Sequence, residues 1–114
     1  MTFPFNCDGY TIKADPELEK HIKKNLPEQL RKIFNKKVEY LGKNPLHRSL
    51  NTKKYNASPE KLKELEVDEV WEFYIDEHRH RCIFYLCRNE KLIILAFVGN
   101  HDAISRKYSP SGKM

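Results

Sequence analysis

The groups in this sequence that could act on a phosphate ester are cations and titratable side chains between residues 53 and 101. Arg81 stands in the middle of an apolar segment, where an unpaired guanidinium is costly, so it needs an anionic partner, either Glu72 or a ligand. Arginine forks onto phosphate oxygens and can stabilise a developing negative charge. Lys53 or Lys54 could supply a second cation, and His101 could transfer a proton near neutral pH. The same residue types also fit a plain Glu72–Arg81 salt bridge with a surface His101.

Other catalytic signatures are missing from the sequence. It contains no Gly-rich phosphate loop, no His-Glu-x-x-His and no Cys-x-x-Cys. His78, His80 and Cys82 lie close together, but no second cluster of ligands accompanies them. We therefore expect neither a metal ion nor another cofactor, and we expect Cys82 and Cys87 to be core residues.

The charge of the chain is unevenly distributed. The 114 residues suffice for one domain and carry a net charge of +5. Residues 20–54, here called the basic block, hold eleven Lys and Arg against Glu28 and Glu39, a balance of +9. Residues 60–77 hold eight acids against Lys61 and Lys63, a balance of −6. The basic block indicates a polyanionic partner, although a solvated helical surface would have the same composition.

The sequence also predicts the compartment. Three cysteines without disulfide-scaffold spacing fit a reducing environment, and no signal peptide is visible. No apolar run reaches the roughly 18 residues of a membrane span. We therefore expect a cytoplasmic protein with no membrane partner.

Periodicity predicts an α+β fold with the element order β-α-α-β-β-β. A strand over residues 10–13 precedes two helices separated by Pro27, and a short helix follows at 58–65. Three strands then form an antiparallel meander on which the helical hairpin packs. We expect the packing to involve one apolar set, namely Leu30, Ile33, Phe34, Val38, Trp71, Phe73 and Ile75.

Four motifs in this order resemble the RelE/ParE toxin superfamily. They are Ser-Leu-Asn-Thr-Lys-Lys-Tyr at 49–55, Val-Trp-Glu-Phe-Tyr at 70–74, Arg-Cys-Ile-Phe-Tyr at 81–85 and Val-Gly-Asn-His-Asp at 98–102. The resemblance implies a single RelE-like toxin domain over residues 1–114, in which we expect 105–114 to be a flexible tail. RelE-type members cut mRNA in the ribosomal A site with the transcript's own 2′-hydroxyl and need no metal. The resemblance therefore implies mRNA, the ribosome and a cognate antitoxin as partners.

The resemblance also implies roles for individual residues. Arg81 would stabilise the transition state, and His101 would act as acid or base. Lys54 or Lys53 would be the loop cation, and Glu72 would act as a base or orient Arg81. Further contacts to RNA are expected from Lys36, Lys37, Arg48, Lys53, Tyr74 and Tyr85.

Two alternative functions are compatible with these features. ParE-type members of the superfamily poison DNA gyrase, and a non-catalytic module could bind only RNA or an antitoxin. The acidic stretch at 60–69 departs from the superfamily pattern, as does Lys-Tyr where the loop motif usually has Lys-Leu.

Overall fold

The computed structural model describes residues 11–43, 50–76 and 79–108. Its elements follow in the order β1 (Thr11–Ala14), α1 (Leu18–Asn25), α2 (Glu28–Lys43), β2 (Lys53–Tyr55), α3 (Pro59–Leu65), β3 (Glu69–Tyr74), β4 (His80–Cys87), β5 (Leu92–Asn100) and α4 (His101–Tyr108). The strands form one sheet in the order β1-β5-β4-β3-β2, in which β1 is parallel to β5 and the other pairs are antiparallel. The predicted α+β class is confirmed. None of the helices described is long and apolar enough to cross a membrane.

The helical hairpin packs on one face of the sheet. Phe34 of α2 stacks on Phe73 of β3 with 6.3 Å between ring centroids, and both side chains are buried. The other predicted members of this core lie there too, except Ile33, which is 42% exposed. The prediction for Ile33 is wrong because the buried stripe of α2 runs through Leu30, Phe34 and Val38 at four-residue spacing, which turns Ile33 away from the sheet.

The opposite face of the sheet is covered by two short helices. In α3, Ser58 is the N-cap and its hydroxyl accepts a hydrogen bond from the Lys61 N–H at 3.1 Å, so the predicted short helix is confirmed. In α4, Ile104 and Tyr108 are buried against this face. The Tyr108 hydroxyl lies 2.8 Å from that of Tyr85.

Two elements differ from the sequence prediction. Residues 53–55 end a polar and basic segment, starting at residue 43, whose composition predicts a loop, but they form strand β2, which pairs with β3. The flexible tail predicted from residue 105 is wrong for 105–108, because these residues form the last turn of α4 and Tyr108 is 1% exposed. Residues 109–114 lie outside the described residues.

Candidate catalytic site

Strand register places the predicted site residues on the face that α4 covers. Tyr74 pairs with Arg81, Arg81 pairs with Gly99, and Glu72 pairs with Ile83. Side chains alternate along a strand, so Glu72, Tyr74 and Arg81 share the face of Ile83, which packs in the α4 core. His101 follows β5 directly and opens α4.

Arg81 is held by a buried carboxylate. Its Nη1 donates to Glu72 Oε1 at 3.0 Å, and the two side chains are 17% and 9% exposed. The Arg81 Nε is buried and has no hydrogen-bond partner among the described residues. The guanidinium is therefore fixed in position and retains a donor that is not used by the protein in this structure.

His101 meets the same guanidinium group. The Nδ1 of His101 lies 3.4 Å from Arg81 Nη1, so the guanidinium can donate to this nitrogen when the imidazole is neutral. The Asn100 side chain caps the helix that carries His101, because its Oδ1 accepts the Ala103 N–H at 2.8 Å. A fixed cation and a group able to transfer a proton thus adjoin each other at the start of α4.

An aromatic ring and a second cation complete this group of residues. The Arg81 guanidinium lies 4.6 Å from the Tyr74 ring centroid, and the Lys53 ammonium lies 5.3 Å from it. Both distances are within the range of cation–π attraction. We call Lys53, Glu72, Tyr74, Arg81 and His101 the Arg81 cluster.

The structure does not bring Lys54 into the Arg81 cluster. Lys54 pairs with Trp71 in the sheet and therefore faces the opposite side from Lys53. Its ammonium lies 3.2 Å from Glu69 Oε2. Burial acts to raise the pKa of Glu69, but hydrogen bonds from Trp71, Arg88 and Lys54 outweigh it and lower that pKa. Lys54 thus supports a carboxylate on the helical-hairpin side.

The other predicted RNA contacts are dispersed. Tyr85 is 7% exposed and its hydroxyl is bound to Tyr108, so it is a core residue. Lys36 and Lys37 are carried by α2, which packs on the sheet face opposite to Arg81. Arg48 lies outside the described residues. Asn100 was not among the predicted site residues, although an Asn before an Ile104–Tyr108 pair at four-residue spacing is a helix-start signal.

The suggested metal ligands have other partners. His80 Nδ1 lies 2.9 Å from Asp76 Oδ2, and burial raises the pKa of the Cys82 thiol, which keeps it neutral. In the part of the chain that the structure describes, no group of three His, Cys, Asp or Glu side chains could hold a metal ion. His78 lies outside that part.

Comparison with known proteins shows the fold. No family model matches the chain, and no curated protein matches it in sequence. A chain of the archaeal RelE–RelB complex from Pyrococcus horikoshii OT3 aligns with a TM-score of 0.58 and 15% identity, over 80% of this chain and 93% of that chain. A metal-bound toxin from Helicobacter pylori aligns with a TM-score of 0.59 and 17% identity, over 83% of this chain and 98% of that chain. YafQ from E. coli strain BL21(DE3) aligns with a TM-score of 0.58 and 16% identity, over 83% of this chain and 97% of that chain. The chain therefore has a RelE-like fold, as the resemblance implied.

Proposed function

We propose that this chain is the toxin of a toxin–antitoxin pair and that it cleaves mRNA on the ribosome. The observation that carries the proposal is the contact between Arg81 and His101, which puts a fixed cation beside a proton-transfer group on a RelE-like fold. The basic block supports it, because a surface rich in Lys and Arg attracts a polyanion.

In the proposed reaction the 2′-hydroxyl of the transcript attacks the adjacent phosphorus. A 2′-O–P bond forms and the P–O5′ bond breaks, so the products carry a 2′,3′-cyclic phosphate and a 5′-hydroxyl. The attacking hydroxyl loses a proton and the leaving oxygen gains one. His101 is the histidine of the Arg81 cluster, and an imidazole can accept or donate a proton in either transfer. Cations and an acid–base group supply what this reaction needs, so it does not require a divalent metal ion.

The remaining residues of the Arg81 cluster orient the guanidinium or stabilise negative charge on the phosphate. Glu72 is already bound to Arg81 at 3.0 Å, which favours a role in orienting the guanidinium over a role as general base. Arg81 then stabilises the negative charge that develops on the phosphate. Lys53 adds a second positive charge, and the partly exposed Tyr74 offers an aromatic surface beside it.

The adjacent lysines of β2 give a matched test of this site. Both are exposed, but Lys53 belongs to the Arg81 cluster and Lys54 faces the other side of the sheet. In a reconstituted translation system with mapped transcript ends, Lys53→Ala should slow cleavage about 10-fold, as expected for one charge-assisted contact. Lys54→Ala should cut at nearly the wild-type rate. Equal losses in both variants would show that only overall charge matters.

The same system separates the proposal from its alternatives. Growth arrest with intact transcripts and inhibited DNA supercoiling would assign the chain to the gyrase-poisoning class. Antitoxin binding with neither arrest nor cleavage would indicate a non-catalytic module.

The antitoxin surface is proposed to include the outer face of α2. A groove of about 270 Å³ there is lined by Ile33, Lys36, Lys37 and Tyr40, and Ile33 is exposed. An apolar side chain flanked by lysines complements an amphipathic acidic segment. Binding of the cognate antitoxin should weaken with added salt and with Lys36→Glu/Lys37→Glu. Lys32→Glu, on the same helix but outside the groove, is the control, and equal weakening by both would contradict this location.

A further inference from the structure

A second concave site lies on the α4 side of the sheet, at the other end from the Arg81 cluster. It is a cavity of about 500 Å³, which is within the usual range for ligand pockets. Tyr85, Ile94 and Ala96 of the sheet form its floor. Tyr85 is four residues along β4 from Arg81, which corresponds to about 13 Å of strand. We call this the α3–α4 cavity.

The walls of the α3–α4 cavity are acidic. Asp15 and Glu17 contribute from the residues just before α1, and Glu64 contributes from α3 beside the apolar Leu65. The charged side chains among its described lining residues are these three carboxylates and Lys107, a balance of −2. An acidic cavity on a chain of net charge +5 repels the polyanion that the rest of the surface attracts. The cavity is therefore not an extension of an RNA site.

Lys107, which is already counted in this balance, and His21 leave the lining of the cavity negative. The Lys107 ammonium lies over aromatic rings, at 5.5 Å from the Phe97 centroid and 5.8 Å from that of Tyr108. His21 packs edge-to-face on Phe97 with 4.6 Å between centroids. Burial and then the charge of Lys107 lower the pKa of His21, so its ring is neutral at pH 7.

The carboxylates are available to a ligand. Glu17 lies 3.6 Å from Lys20 and Glu64 lies 3.5 Å from Lys61, and both carboxylates are more than half exposed. Such surface ion pairs contribute little, so an incoming cation can replace either lysine. One oxygen of Asp15 already accepts the Glu17 N–H at 2.8 Å. The acidic stretch that departs from the superfamily pattern thus builds one wall of this cavity.

We infer that the α3–α4 cavity binds an organic cation, an amine or guanidinium on an aliphatic stem. The stem would lie on Ile94, Ala96 and Leu65, and the charged group would contact the carboxylates at the rim. A free polyamine and a lysine or arginine side chain of a bound polypeptide share this chemistry. The inference does not depend on the proposed nuclease activity, because no residue of the Arg81 cluster lines the cavity.

The test is an amide NMR titration of the whole chain with spermidine and with N-acetyl-arginine amide. Amides of Leu65, Ile94 and Ala96 should shift, and those of Tyr74 and Arg81 should not. Tighter binding of spermidine would identify a free polyamine as the source, and tighter binding of the arginine derivative would identify a polypeptide side chain. Either result supports the inference.

Charge variants make the test specific. Glu64→Gln should raise the Kd about 3-fold, and Glu17→Gln/Glu64→Gln about 10-fold, as expected for exposed ion pairs that add independently. The control is Glu19→Gln/Glu60→Gln, which removes two exposed carboxylates of α1 and α3 that do not line the cavity. Equal weakening by the control, equal binding of the uncharged 1,6-hexanediol, or shifts produced by inorganic phosphate instead would overturn the inference. The variants' own spectra report whether they fold.

Discussion

The buried pair of Arg81 and Glu72 allows folding and chemistry to be separated. In Arg81→Met the aliphatic stem is kept, but the Glu72 carboxylate, 9% exposed, loses its ion-pair partner. An uncompensated buried charge costs about 3–5 kcal/mol, a large part of the roughly 5–15 kcal/mol that holds a domain together. Replacing both partners by methionine removes the unpaired charge, and such replacements are often neutral or stabilising. Arg81→Met/Glu72→Met should therefore regain most of the lost stability.

Activity should not follow stability in this series. If Arg81 stabilises the transition state, its loss slows cleavage by about 10²–10³-fold whether or not Glu72 is present. Stability is measured by urea unfolding of the wild type, both single variants and the double variant. Activity is measured in the same proteins by ribosome-dependent cleavage. A stable double variant that cuts at the wild-type rate would show that Arg81 is only structural. An Arg81→Met protein as stable as the wild type would refute the argument about the buried charge.

Three further predictions concern stability. Phe34→Ala should lower the free energy of unfolding by about 3–5 kcal/mol in urea, and an unchanged midpoint would contradict the packing of α2. Burial acts to raise the pKa of Asp76, but hydrogen bonds from the His80 backbone and ring outweigh it and lower that pKa from 3.8 to about 2. The resulting stabilisation is present above the unfolded value of 3.8 and is lost as pH falls through about 2. Asp76→Asn should therefore cost about 1–2 kcal/mol at pH 7, allowing for partial exposure, and nothing near pH 2 in thermal melts. Tyr108→Phe leaves the buried Tyr85 hydroxyl without its partner and should cost about 1–3 kcal/mol, which Tyr85→Phe/Tyr108→Phe should largely restore.

The sequence predicted those helices and strands that have a regular apolar pattern of their own. The four-residue apolar spacing of α2 and the alternation in β3 are local signals, and both elements are present in the structure. Strand β2 has only three residues and is exposed or half-buried throughout, so its pairing with β3 is not encoded locally. Helix α4 was missed because its basic residues were interpreted as a tail, although Ile104 and Tyr108 have the spacing of a buried helical stripe.

The candidate site was predictable in its members but not in its geometry. Arg81 required an anionic partner by its position alone, and Glu72 is that partner. The register of β2 decides whether Lys53 or Lys54 faces the site, and no sequence pattern predicts that register. The buried position of Tyr85 depends on α4, so predicting it as an RNA contact followed from missing that helix.

A single irregularity of β5 decides whether Arg81 and His101 can meet. Near the hairpin turn, Phe84 pairs with Leu95, whereas Ile83 pairs with Phe97, so Ala96 is an extra residue in β5. Without this bulge, the β4–β5 pairing near the turn would continue unchanged and would pair Arg81 with Val98. Side-chain alternation along β5 would then direct its odd-numbered residues to the helical-hairpin side. With the bulge, Gly99 lies opposite Arg81, and the chain enters α4 with His101 on the face of the guanidinium. The contact on which the proposed chemistry depends is thus produced by one unpaired residue that hydrophobic periodicity does not encode.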